Sequence, residues 1–110
     1  MKLPRATLAR LPAGPEPTER QFQAQLVALA KLNGWRCYHT HDSRRSDPGF
    51  PDLVLVRERV IFAELKRRSG KLRLEQREWL TDLENAGAEV YLLRPDDWAD
   101  IERLLERRAA

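Results

Sequence analysis

Cysteine is nearly absent from this chain: Cys37 stands alone, so no intramolecular disulfide and no Cys-based zinc site can form. That excludes a disulfide-stapled secreted scaffold and makes a reducing cytosol the expected home. His39 and His41, the only histidines, cannot rebuild such a metal site by themselves. Long apolar runs are missing too. None approaches the roughly 18 to 20 residues of a membrane span, and the N-terminus has no apolar stretch followed by a small-residue cleavage site. The expectation is a soluble, unprocessed, cytoplasmic protein with no membrane partner. Length excludes a second folded domain, since 110 residues fit one unit of ordinary size. The 42% hydrophobic content suffices for one core without staples.

What the chain does have is charge, unevenly placed. The net charge is only +3, but residues 1–42 carry six basic and three acidic groups, 43–77 carry ten and five, and 78–110 carry four and nine. A basic middle beside an acidic C-terminal third points to a face suited to a polyanion; the plain alternative is an ordinary charged surface.

Residues 1–17 hold Pro4, Pro12, Pro15 and Pro17 and show no sustained period, which predicts an extended arm preceding a domain over 18–110. Thr18 with Gln21 forms a capping-box pattern, and Phe22, Leu26, Leu29 and Ala30 follow on one helical stripe until Asn33-Gly34. Trp35 to His41 alternates as a first strand. Asp42 to Phe50 is polar and contains Pro48-Gly49, hence a loop. DLVLV and VIFAELK, separated by Arg57-Glu58-Arg59, read as a hairpin whose apolar faces predict a place in the middle of a covered sheet. After the basic turn Arg67 to Lys71, a second helix runs from about Arg73 to Ala86, a strand from Glu89 to Arg94, and a last amphipathic helix starts at Pro95. The order α-β-β-β-α-β-α predicts an α/β fold with a mixed central sheet flanked by helices.

Pairing the hairpin with Val56 opposite Val60 puts Val54 opposite Phe62 and Asp52 opposite Glu64. Two facing carboxylates lie about 4.5 to 5.5 Å apart at Cβ and destabilise a sheet unless positive charge lies between them. A divalent cation supplies that charge. Lys66 falls on the same face as Glu64, because strand side chains alternate. Carboxylates and water are the ligands Mg²⁺ prefers, and Mn²⁺ accepts the same set. Such a metal polarises a scissile phosphate and acidifies a water, while an adjacent ammonium orients the attack or offsets developing charge. The plain alternative makes Glu64 and Lys66 strand-edge charges and Asp52 a turn residue, but Pro51-Asp52 opens a strand too apolar for a solvated edge.

Pro51-Asp52, eleven intervening residues and Glu64-Leu65-Lys66 resemble the PD-(D/E)XK nuclease signature. Thr18-Glu19, Pro48-Gly49-Phe50-Pro51-Asp52, Leu74-Glu75-Gln76 and Ala86-Gly87-Ala88-Glu89-Val90-Tyr91 narrow the resemblance to the virus-type replication-repair nuclease domain, VRR-NUC, in its stand-alone phage or bacterial form, over about Thr18 to Leu105. The resemblance implies a PD-(D/E)XK restriction-endonuclease-like core. It implies that Asp52 and Glu64 bind metal with the Leu65 carbonyl as a backbone ligand, that Lys66 is the catalytic lysine, and that Glu19 and Gln76 belong to the site. Spacing agrees on the last two. Glu19 lies three before Phe22 and Gln76 three before Trp79, so each opens the core-facing stripe of its helix. The plain alternatives are a helix-dipole acid for Glu19, which is also a possible metal ligand, and solvation or capping for Gln76.

Arg44, Arg45, Arg67, Arg68, Lys71 and Arg73 come from the two loops flanking the carboxylate hairpin and form a candidate DNA-contacting group; each alone is an ordinary surface charge. Cys37 and the three tryptophans are expected in the core. The chain therefore reads as a Mg²⁺- or Mn²⁺-dependent DNA endonuclease. One site per chain and two strands to cut predict a homodimer acting on branched, Holliday-junction-like DNA in phage or bacterial replication, recombination or repair. The competing readings are a flap or single-strand-specific nuclease, a non-catalytic DNA-binding subunit of the same fold, and a basic RNA-associated module.

Overall fold

Helix α1 (Glu19–Leu32) begins where its first free N–H groups are satisfied: Gln21 N–H donates to Thr18 Oγ1 (3.1 Å) and Thr18 N–H to Gln21 Oε1 (2.9 Å). It buries Phe22, Leu26 and Ala30. This is a computed structural model that describes residues 15–41 and 47–107. Most of the segment expected as an arm, and both Arg44 and Arg45, lie outside the described residues.

Strands β1 (Arg36–His39), β2 (Leu53–Val56), β3 (Val60–Leu65) and β4 (Glu89–Leu93) form one sheet in the order β1-β2-β3-β4. The first two pairings are antiparallel, and β3 with β4 is parallel. A parallel pair needs a crossover, which helix α2 (Leu74–Asn85) provides. Pro95–Asp97 forms a single 3₁₀ turn before α3 (Trp98–Leu105). The continuous last helix expected from Pro95 is thus corrected: the Asp97 carboxylate accepts from Arg94 N–H (2.9 Å) and closes a tighter turn first.

Alternation along the strands splits the core into two layers. Leu53, Leu55, Ile61, Ala63 and Leu65 pack with Phe22, Leu26, Ile101 and Leu105 of α1 and α3. On the other face Phe50 meets Phe62 and Trp79 edge-on, at 6.1 and 5.1 Å between centroids. Helix α2 lies over β4, so it leaves Tyr38, Val56 and Val60 exposed. The hairpin is central as expected, but its α2 face is covered only in part.

Candidate active site

The observed register places Val56 beside Val60 and Val54 beside Phe62, and one step further puts Asp52 beside Glu64. Arg57 N–H donates to Arg59 O (3.0 Å), so the odd-numbered pairs are the hydrogen-bonded ones and the ladder continued would join residue 51 to Leu65. Pro51 has no N–H to give. The Leu65 carbonyl thereby loses its ladder donor, and Leu65 N–H turns instead to Asp52 Oδ2 (2.8 Å). An extended residue projects its N–H and C=O to the same side, so this carbonyl faces the side on which Asp52 stands. Thr40 fixes the same segment: its Oγ1 donates to Pro51 O (2.9 Å) and its N–H to Asp52 O (3.0 Å).

Glu64 is 1% exposed, and its Oε2 has no hydrogen-bond partner. Burial, first, and then the hydrogen bond and like charge of Asp52 push its carboxyl well above the usual carboxylate range, with Lys66 opposing. A buried carboxylate without a compensating partner is costly. The oxygens that a cation displacing the shared Glu64 proton would meet are those of the Glu64 and Asp52 carboxylates and the Leu65 carbonyl. That set fits a hard cation which keeps several waters, as Mg²⁺ and Mn²⁺ do. Among the described residues no three His, Cys, Asp or Glu side chains gather as a metal cage, so Glu19 does not join Asp52 and Glu64 in a three-carboxylate cluster.

Asp52 opens on a cleft of about 520 Å³ whose walls also include Glu19, Lys66, Lys71, Arg73 and Gln76. Glu19 is exposed and borders the cleft rather than the core. Gln76 is buried and serves both readings. Arg73 N–H donates to its Oε1 (2.9 Å), which caps α2, while its position makes it part of the wall. Gly49 explains the Pro48-Gly49-Phe50 turn beside it. Its φ is +93°, and a Cβ there would sit 2.5 Å from the Glu75 carbonyl carbon and 2.8 Å from Gln76 N. Only glycine lets the loop press on the first turn of α2.

The expected basic group divides. Lys71 and Arg73 line the cleft. Arg68 is instead bound to Asp96 (3.0 Å) and, through its N–H, to Glu16, and Arg67 lies 3.5 Å from Glu16. Asp96 comes from the 3₁₀ turn after β4 and Glu16 from the segment before α1, contacts that strand and helix periodicity does not announce. Arg94 was also missed: its Nη1 donates to Arg67 O (2.6 Å) and Gly70 O (2.7 Å), tying down the turn between Lys66 and Lys71. Thr40 had one usable signal, since the β1–β2 register carries it opposite Asp52. The His39 and His41 rings lie 4.1 Å apart, tilted by 50°, and among the described residues no third ligand joins them.

A mixed sheet between helices, with facing carboxylates and a lysine on one strand end, defines a nuclease-type α/β domain. The chain belongs to the VRR-NUC domain family, whose profile matches residues 2–97. The match reaches into the segment set apart as an arm and stops short of α3. A solved structure described as a VRR_NUC domain protein superposes with a TM-score of 0.67 at 16% identity, over 82% of this chain and 86% of that one. No curated protein matches the chain.

Proposed function

We propose that this nuclease-type domain is a divalent-cation-dependent DNA endonuclease whose site is Asp52, Glu64 and Lys66. The observation that carries it is the buried, unpartnered Glu64 Oε2, on the strand position facing Asp52, which with Lys66 lines an open cleft. Asp52, Glu64 and the Leu65 carbonyl would hold Mg²⁺ or Mn²⁺, which supplies the charge that polarises a phosphate and acidifies water. The Lys66 ammonium stands where it can orient the attacking water and offset charge developing on the phosphate. Glu19 borders the same space as an acceptor for that water's proton network, and Gln76 contributes through the cap that seats α2. Lys71 and Arg73 hold the substrate backbone.

One site per chain implies two copies for a two-stranded cut, and the proposed substrate is branched DNA met as a homodimer in replication, recombination or repair. The test is cleavage of a labelled four-way junction, a flap and a linear duplex with Mg²⁺, Mn²⁺ or EDTA, beside Asp52→Ala. Paired, metal-dependent nicks in the junction, lost in the variant, are expected. Equal cutting of linear duplex by a monomer in light scattering would overturn the substrate and the assembly, and binding without hydrolysis under either metal would overturn the enzyme.

A further inference from the structure

The cleft continues past Asp52, away from Lys71 and Arg73. A second hollow of about 300 Å³ opens between the first turn of α1 and the end of β1, with Arg20, Gln23, His39 and His41 in its wall. The two hollows share Glu19, Thr40, His41 and Asp52, so they adjoin at Asp52. Arg20, His39 and His41 are exposed. The side chains of the three make no hydrogen bond or ion pair with another described residue, and the two imidazole rings lie 4.1 Å apart, tilted by 50°. The contrast with Arg68, held by Asp96 and Glu16, is informative: among the described residues these side-chain donors have no partner.

We propose that this second hollow is a DNA subsite, holding the strand on the side of the scissile phosphate opposite to Lys71 and Arg73. The inference rests on the nuclease reading above and adds to it a direction for the strand. Guanidinium, imidazole N–H and the Gln23 amide are donors that suit phosphate oxygens, and the exposed imidazoles offer ring faces to a base. A strand held in both hollows would pass Asp52, where they adjoin.

The test is fluorescence anisotropy of the cleavage-deficient Asp52→Ala protein on a four-way junction, with single uncharged methylphosphonate linkages scanned across the branch point. Arg20→Ala in that background should weaken binding about five- to tenfold and become indifferent to one linkage. Arg73→Ala should become indifferent to a different one, and His39→Ala/His41→Ala should act at or next to the Arg20 linkage. Arg103→Ala, on α3 outside both hollows, should keep full sensitivity everywhere. In the cutting enzyme, Arg20→Ala should raise KM with little change in kcat, and Arg20→Lys should restore part of it. Arg20→Ala with undiminished sensitivity at every linkage, or with a loss at the Arg73 linkage, would overturn the subsite. If the parent protein cuts nothing, the nuclease reading fails while the linkage scan still decides the subsite.

Discussion

Glu58 and Glu64 lie on the same hairpin, and their carboxyl groups are pushed in opposite directions. At the turn, the Arg57 guanidinium holds Glu58 down at about 2, while burial beside Asp52 drives Glu64 up. The turn end is satisfied throughout. Arg59 reaches Glu58 and Glu89 at 2.9 Å. Arg57 donates to the carbonyls of Asn33 (2.8 Å) and Leu105 (3.1 Å) and stacks 4.3 Å from the Trp35 ring. Trp35 Nε1 in turn donates to Leu105 O (2.9 Å). At the other end two carboxylates face each other and one buried oxygen has no partner. Two ends of one hairpin thus separate the work: one stitches α1, α3 and the sheet together, the other stores unmet polarity that a ligand can satisfy.

Four substitutions would break or sharpen this contrast. The largest effect belongs to the cleft end. Lys66→Ala should slow cleavage by about 10²- to 10³-fold with an unchanged melting temperature; comparable loss of both rate and stability would show that the two ends are not separate. Next is Trp35→Ala at the turn end, expected to cost about 3 to 5 kcal/mol in chemical denaturation while activity per folded molecule is retained.

Gly49→Ala should cost about 1 to 3 kcal/mol, because the added methyl meets α2 backbone at a left-handed φ. It should lower cleavage more than an equally destabilising change at the turn, since the strain falls on the segment that seats Gln76. The last effect is on pH dependence. Because the folded Glu64 carboxyl is raised above its unfolded value, its protonation contributes stability that is complete below the ordinary glutamate range and is lost as pH rises toward the folded value. Metal-free protein should therefore lose stability on going from about pH 5 to pH 8, and Glu64→Gln should flatten that slope. An unchanged slope in the variant would mean that the carboxyl is not held protonated in the fold.

Much of this was readable from residue patterns. The capping box at Thr18, the hairpin register around a three-residue turn and the helical stripes each depend on spacing within a few residues, and local backbone geometry enforces spacing at that range. The pairing of Asp52 with Glu64 follows from the same arithmetic. The harder elements depend on distant segments meeting. That Arg67 and Arg68 answer to Glu16 and Asp96, that Arg94 ties the basic turn, and that Arg20 approaches His39 and His41 are meetings between segments far apart in the chain, and no periodicity encodes them. The exposed α2 face of Val56 and Val60 is of the same kind: strand composition announces an apolar surface, and only the placement of α2 over β4 decides how much of it is covered.

The sequence by itself determined the order of elements, the central position of the hairpin and the repulsive carboxylate pair with its lysine, because each is set by alternation or helical repeat along one or two neighbouring segments. Tertiary structure decided which charges are cancelled and which stay free to meet a ligand, because desolvation and pairing depend on what the rest of the chain brings within a few ångströms.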